Sequence, residues 1–164
     1  MTYYFTILTL HIVFAGIWLV NFFSDPILKG FIVKNKNKNG EKKFIHLYLT
    51  MGNFFGMIGS TGILITGITM VSLNPNYGFF QMSGNHWLTS KQIIMVVILI
   101  VIGALLIPTA KKIRTALGDD LESNSPISDD GYNNLSKLFK INTVINILVI
   151  INFLFAITHR YFFS

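Results

Sequence analysis

The residues with the clearest chemical potential are an imidazole and an amine set in apolar sequence. His11 lies within a run of mainly apolar residues at positions 3–23, and Lys91 lies about one turn into another such run. A polar, titratable side chain in a bilayer is costly unless it faces other helices and has a partner, so by default it marks a functional site. Imidazoles in such a place can ligate haem iron, or a copper or zinc ion.

Further polar residues are expected at one face of the membrane. His159 and Arg160 lie near the end of the last apolar run, and three of the four histidines, His86 included, fall on this side. Each also has an ordinary interpretation: His159 ends an interfacial helix, His86 is solvated, and the stem of Lys91 snorkels to the interface. His46 is expected among headgroups at the opposite face.

Glycines recur along the second apolar run at a spacing that places them on one helix face. Small residues at this spacing let another backbone or a flat ligand approach closely. Tight helix packing is the more common use of such a stripe. The alternative is that a tetrapyrrole lies on the glycine face, where room is provided by Gly56, Gly59 and Gly62.

The composition is that of a membrane protein. Of the 164 residues, 52% are hydrophobic and 12% are charged, and a spanning helix needs ~20 apolar residues. Four stretches reach that length, so we expect an all-α, integral membrane four-helix bundle formed by a single domain. The predicted spans are 3–24, 46–72, 89–110 and 138–162. The first run lacks a basic start and a small-residue cleavage site, so we expect it to be retained as a helix.

The distribution of basic residues predicts the orientation of the bundle. The connections 25–45 and 111–137 contain clustered lysines, whereas the second connection, 72–90, has no Lys or Arg. The positive-inside rule places the two basic connections in the cytoplasm and both termini outside, in an inner (cytoplasmic) membrane of bacterial type. The formal net charge of +6 then favours anionic lipid headgroups over nucleic acid as a partner. The connection 111–137 is acidic at its centre and is expected to be a mobile loop.

Several classes of chemistry are excluded or disfavoured. The chain has no cysteine, which excludes disulfides, thiolate metal sites, iron–sulfur clusters and covalent c-type haem within it. No arrangement of serine and carboxylate residues suggests hydrolysis. No carboxylate lies clearly within a predicted span, so a proton-driven transporter is disfavoured. Asn142 and Asn146 share a helix face and are expected to hydrogen-bond across helices.

Two short segments resemble a known superfamily of small four-helix membrane proteins. The stretch from Leu10-His11 to Trp18 is similar to the first helix of relatives of the copper-resistance protein CopD and of HemJ-type protoporphyrinogen oxidases. Thr66-Gly67, followed by a loop and the segment Trp87-Leu88-Thr89-Ser90-Lys91, is similar to the junction between their second and third helices. In HemJ-type enzymes the matching His and Lys are implicated in haem b binding, so the resemblance implies that role for His11 and Lys91.

These observations lead to a first functional hypothesis, a haem-b-binding redox protein of the membrane. His11 is the expected axial ligand, with Lys91 or His159 opposite and Arg160 paired with a propionate. Electrons would pass to or from quinone or a partner subunit, in a larger complex or a homo-oligomer. Three alternatives stay open: a cofactor-free accessory or assembly subunit, a HemJ-like protoporphyrinogen oxidase, and CopD-like copper handling.

Overall fold

The computed structural model describes residues 2–38, 40–122 and 127–162, without the side chains at positions 2, 119–122 and 159–162. All regular elements in this part of the chain are helices. They are α1 (Thr2–Lys34), α2 (Glu41–Leu73), α3 (His86–Val101), α4 (Ile107–Glu122) and α5 (Asp129–Phe162). A π-helical turn at Ile102–Leu106 joins α3 to α4 without a break, so these two form one long helix.

The described part of the chain therefore has four helices that are each long and apolar enough to cross a membrane, as the sequence predicted. Many of their large hydrophobic side chains are exposed on the outside of the bundle, among them Phe5, Ile12, Ile65 and Ile100. Lipid-facing surfaces of membrane helices are apolar in this way, since lipid tails replace water there. The chain is a multi-pass membrane protein.

The helices continue well beyond the apolar runs. α1 extends past the predicted boundary at 24 to Lys34, and α2 begins at Glu41 rather than at 46. The connections expected at 25–45 and 111–137 are therefore largely helical, and residues 123–126 of the second lie outside the described residues. Apolar composition marks the length of chain in hydrocarbon, whereas a helix continues for as long as tertiary packing stabilises it.

The long helices share two ends, which differ in charge. The basic end holds the turn between α1 and α2, the end of α4 and the start of α5, and it carries most of the lysines. The terminal end holds the start of α1, the 74–85 connection and the end of α5. His11 belongs to the terminal end.

The hydrophobic core is concentrated at the basic end and in the middle of the bundle. The basic-end cluster joins α1, α2, α4 and α5 through Leu28, Ile32, Ile45, Tyr48, Leu49, Ile113, Leu117, Leu135 and Leu138. The middle cluster joins α1, α3 and α5 through Trp18, Met95, Ile98, Ile141, Ile145 and Val149. No described side chain of α1 before Trp18 is buried. The terminal end of α1 is therefore packed less tightly than its basic end.

The bundle consists of two helix pairs. α1 packs along α2, and α3 packs along α5. No Cα of α3 comes within 8 Å of α1 or α2 in the part of the chain that the structure describes. The pairs are joined by contacts of α5 with α1 and of α4 with α2, so they are held together mainly in the middle and at the basic end.

Two glycines of α2 permit the close approach of α1. A Cβ at Gly59 would lie 2.7 Å from the Cβ of Trp18 and 3.0 Å from its backbone N and Cα. A Cβ at Gly62 would overlap the ring of Phe14. Because these positions lack side chains, Trp18 and Phe14 can pack directly against the α2 backbone, which is the packing use of a small-residue stripe.

The π-helical turn has a local cause in Pro108. In a regular helix, proline lacks the N–H that would bond one turn back, and its ring clashes with the carbonyl four residues earlier. The turn before Pro108 is wider, since the N–H of Ile107 bonds to the carbonyl oxygen of Ile102. After this turn, α4 buries Thr109, Ile113 and Leu117 at four-residue intervals and so continues the inward face of the long helix.

We expect Gly59→Ala to destabilise the bundle, because the added methyl group would meet the backbone of Trp18 rather than a flexible side chain. The expected loss in the free energy of unfolding is about 1–3 kcal/mol, measured by denaturant titration in detergent micelles. Gly56→Ala is the matched control, since no atom of another described helix lies within 4 Å of that Cβ position. Equal stability of the two variants would contradict the packing described here.

Candidate functional site

His11 is held by a hydrogen bond to α2. Its Nδ1 lies 2.8 Å from Oγ1 of the buried Thr66, and that hydroxyl lies 2.6 Å from the carbonyl oxygen of Gly62. The Thr66 hydroxyl donates to the Gly62 carbonyl, and its oxygen can accept the Nδ1–H of His11 in the tautomer that carries the proton there. The ring packs beside Gly67, where a Cβ would lie 3.6 Å from Cε1.

One tautomer of the imidazole leaves a ring nitrogen available to a ligand. With the proton on Nδ1, Nε2 of His11 carries the lone pair that can bind a metal or accept a hydrogen bond. A hydrogen bond from the far nitrogen is also how proteins orient an imidazole that ligates a metal. The Thr66 hydroxyl is therefore a positioning group for His11.

Lys91 and Asn152 add further polar groups at the terminal end. The charge of Lys91 acts electrostatically on His11, and its ammonium lies 5.7 Å from the ring centroid of Trp87 in a cation–π contact. Asn152 donates from Nδ2 to the carbonyl oxygen of Lys91 at 3.4 Å. Its Oδ1 is buried and has no hydrogen-bond partner among the described residues. That oxygen is therefore free to accept a hydrogen bond, and most buried amide oxygens do accept one.

In the structure, α1 covers two of the three glycines that were predicted to make room for a porphyrin. Trp18 and Phe14 cover Gly59 and Gly62, so a porphyrin has no room to lie over these two residues. Only Gly56 of the three predicted glycines has no atom of another described helix within 4 Å. A flat ligand bound near His11 must therefore lie away from the covered part of the stripe.

Of the other three histidines, the structure describes the side chains of two. His46 and His86 are exposed. The backbone of α5 reaches the terminal end, but the side chains of His159 and Arg160 lie outside the described residues. Within the described side chains, no three His, Asp or Glu residues come together closely enough to hold a metal ion.

A second polar site, which the sequence analysis missed, lies in the basic half of the bundle. Asp25 is only 5% exposed. Its Oδ1 accepts hydrogen bonds from Oη of Tyr48 on α2 and Nδ2 of Asn142 on α5, both at 2.6 Å. Its Oδ2 forms an ion pair with Nζ of Lys29 at 2.6 Å. The sequence analysis expected no carboxylate clearly within a span, and Asp25 lies one residue past the predicted end of the first span, in the same continuous helix.

The ammonium of Lys29 is satisfied as completely as the carboxylate. Besides Asp25, it donates to the carbonyl oxygen of Phe139 at 3.1 Å and to Oγ1 of Thr143 at 3.0 Å, which uses all three of its donors. A buried ion pair is stable only when its remaining donors and acceptors are also used. Asn142 bonds to both Asp25 and Tyr48, so its predicted role in hydrogen bonding across helices is confirmed.

The sequence contained one signal of this network, and the burial of α1 shows a second pattern. Asp25 and Lys29 stand four residues apart, the spacing at which opposite charges meet on a helix. The buried residues of α1 also follow alternating steps of three and four, the spacing of a helix seam that faces its neighbours; they are Trp18, Asn21, Asp25, Leu28 and Ile32. The apolar-run criterion ended the first span at residue 24, one position before the carboxylate.

A third polar cluster closes the basic end. The buried Glu41 accepts hydrogen bonds at Oε2 from the backbone N–H of Asn37 and from Oη of Tyr132 on α5, both at 2.8 Å. Asn37 has a φ of 59°, in the left-handed region that asparagine tolerates in turns. Nζ of Lys36 lies 4.4 Å from the ring centroid of Tyr132. This cluster ties the α1–α2 turn to the start of α5.

No protein-family model, curated protein or solved structure matches this chain. Its function is therefore argued from its own residues. Three polar sites have been described, at His11, Asp25 and Glu41. The described groups of the Asp25 network are paired with one another, whereas Nε2 of His11 lies outside the contact with Thr66 and the buried Oδ1 of Asn152, on α5, has no partner among the described residues.

Lys29→Gln is expected to destabilise the protein strongly, because it leaves a buried carboxylate without its counter-charge. We expect a loss of about 3–5 kcal/mol in the free energy of unfolding, measured by denaturant titration in micelles. The double variant Asp25→Asn with Lys29→Gln should recover part of that loss, since neither charge remains. Lys34→Gln, on an exposed turn of the same helix, is the control and should change stability by less than ~0.5 kcal/mol. An unchanged unfolding curve for Lys29→Gln would show that the ion pair does not hold the bundle.

Proposed function

We propose that this chain is an integral membrane redox protein that binds haem b at the terminal end, where Nε2 of His11 would hold the iron. The observation that carries the proposal is the contact of His11 Nδ1 with Thr66 Oγ1, because the tautomer with its proton on Nδ1 leaves Nε2 available. The resemblance of the His11 and Lys91 segments to haem-binding HemJ-type enzymes supports the same assignment. Bound haem b would supply one-electron chemistry.

The donor set at the terminal end fits a haem in part. His11 offers an imidazole nitrogen, and the Lys91 amine is near enough to act on it electrostatically. The side-chain oxygen of Asn152 can accept a hydrogen bond. In this proposal Lys91 or His159 serves as the second ligand and Arg160 pairs with a propionate. Gly59 and Gly62 are excluded from the ring-binding surface because Trp18 and Phe14 occupy them.

The packing of the bundle supports a ligand at this end. α1 buries no described side chain before Trp18, and the α1–α2 pair does not approach the backbone of α3 in the described residues. Helices held mainly in the middle and at the other end can separate here without breaking the core clusters. Sites for cofactors in helix bundles lie between facing helices in this manner. Quinone or another membrane subunit would be the electron partner.

His11→Ala is expected to abolish haem binding, because His11 is half-buried whereas the other two histidines with described side chains are exposed. The measurement is the visible absorption spectrum of purified protein reconstituted with haem b, in which the wild type should show a Soret band that shifts on dithionite reduction. His46→Ala is the control, since His46 is exposed at the basic end, and it should keep the band. Loss of the band in His46→Ala with retention in His11→Ala would overturn the proposal.

We also propose that both termini lie outside the cytoplasm, in the inner membrane of a bacterial-type cell. The basic end carries the clustered lysines, and the positive-inside rule directs such segments to the cytoplasm. The absence of cysteine from the sequence makes single-cysteine labelling unambiguous. Ser83 is exposed on the 74–85 connection, so Ser83→Cys should react with a membrane-impermeant maleimide in intact cells. Lys38 is exposed at the basic end, so Lys38→Cys should react only after the cells are permeabilised. The opposite pattern would invert the topology.

A cofactor-free accessory or assembly subunit is the second candidate function. The observation that favours it is the direct packing of Trp18 and Phe14 on Gly59 and Gly62, together with the complete internal satisfaction of the Asp25 network. Both features describe residues used for helix association. A colourless preparation that binds no haem b on reconstitution would favour this candidate over the first.

A further inference from the structure

An open groove lies between α4 and α5 at the basic end, and none of its lining residues belongs to the polar sites described above. Its volume is about 530 Å³. It is lined by Pro108, Lys111, Lys112, Thr115, Ala116 and Asn134. All but Asn134 belong to one face of α4, since positions separated by three, four and seven residues are neighbours on a helix surface.

The groove runs from apolar to charged surroundings. From Pro108 to Ala116 the rise along α4 is ~12 Å. Pro108 directly follows the apolar stretch that ends at Ile107, and the two lysines lie about one turn further toward the basic end. The groove therefore extends from the depth of acyl chains to the depth of headgroups in a membrane that these helices cross.

The two charged residues that line the groove are lysines without an ion-pair partner among the described side chains. Lys111 and Lys112 are both exposed, and neither forms an ion pair with a described side chain. The nearest described acid on α5 is Asp130, whose backbone carbonyl accepts a bond from Asn134 Nδ2 at 2.9 Å. Asp130 lies one turn nearer the basic end than Asn134. Its negative charge would repel an anion from that side of the groove, whereas the two lysines would attract it.

We propose that this groove binds an acidic phospholipid, with its phosphate at Lys111 and Lys112 and its acyl chains directed along Pro108. Ammonium groups attract phosphate at a membrane surface, where basic residues recognise anionic headgroups. The open side of the groove faces the lipid, because it is formed on the outer surface between two neighbouring helices. A lipid bound in the groove would contact both α4 and α5 and would stabilise the packing of these two helices.

The test is lipid binding to the full-length chain purified in detergent. Phosphatidylglycerol and phosphatidylcholine are added separately, and bound lipid is counted by native mass spectrometry. The double variant Lys111→Gln with Lys112→Gln should lose about tenfold in affinity for phosphatidylglycerol, equivalent to ~1.4 kcal/mol. The double variant Lys137→Gln with Lys140→Gln is the matched control, because it removes two exposed lysines of α5 that do not line the groove. Its affinity should change less than ~2-fold.

A further variant tests how much the shape of the groove, as distinct from its charge, contributes to lipid binding. Thr115→Trp fills the groove and keeps both lysines, so it should also weaken phosphatidylglycerol binding. Equal losses in the two lysine pairs would overturn the proposal, since they would indicate attraction to surface charge alone. Undiminished binding to Thr115→Trp, or displacement of the lipid by millimolar inorganic phosphate, would overturn it as well. Circular dichroism of each variant checks that the helices are intact.

Discussion

The buried carboxylate of Asp25 is the constraint on which the arrangement of the helices depends. A charge can remain inside an apolar bundle only when its lone pairs find donors. The donors come from three helices: Lys29 on α1, Tyr48 on α2 and Asn142 on α5. Their meeting at one carboxylate fixes the rotation and the axial register of these helices relative to one another. The apolar cluster at the basic end then packs in the register that the network sets.

This anchor gives the two ends of the bundle different physical character. At the basic end, four helices share one core, and Glu41 adds a second polar tie through Tyr132. At the terminal end, α1 lacks buried side chains before Trp18 among those described, and α3 stays apart from the α1–α2 pair. The groups of the Asp25 network are paired with one another, whereas the buried Oδ1 of Asn152 has no partner among the described residues. The ligand site is proposed at the terminal end, which holds His11 and Asn152.

The glycine stripe of α2 shows how one pattern serves two physical uses. Glycine removes a side chain, and the space that results is taken by whatever approaches closest. In this bundle Trp18 and Phe14 approach Gly59 and Gly62, so that space is used for helix packing. The spacing of the glycines predicted a close approach correctly, but it carried no information on whether a helix or a ligand would make it. That choice depends on the rotation of α1, which the network around Asp25 fixes.

The sequence by itself determined that the chain forms apolar helices long enough to cross a membrane, and that His11 lies within one of them. Composition and run length decide this, because hydrocarbon accepts only segments whose backbone is bonded internally and whose side chains are apolar. Only the tertiary structure decided which polar residues meet. Asp25 fell just outside an apolar run yet is buried, because Lys29, Tyr48 and Asn142 from other turns and helices surround it. Likewise, the bond of His11 to Thr66 joins residues 55 positions apart. Run length reports the average polarity of a segment, whereas a pairing between helices depends on their rotation and register, which no single segment contains.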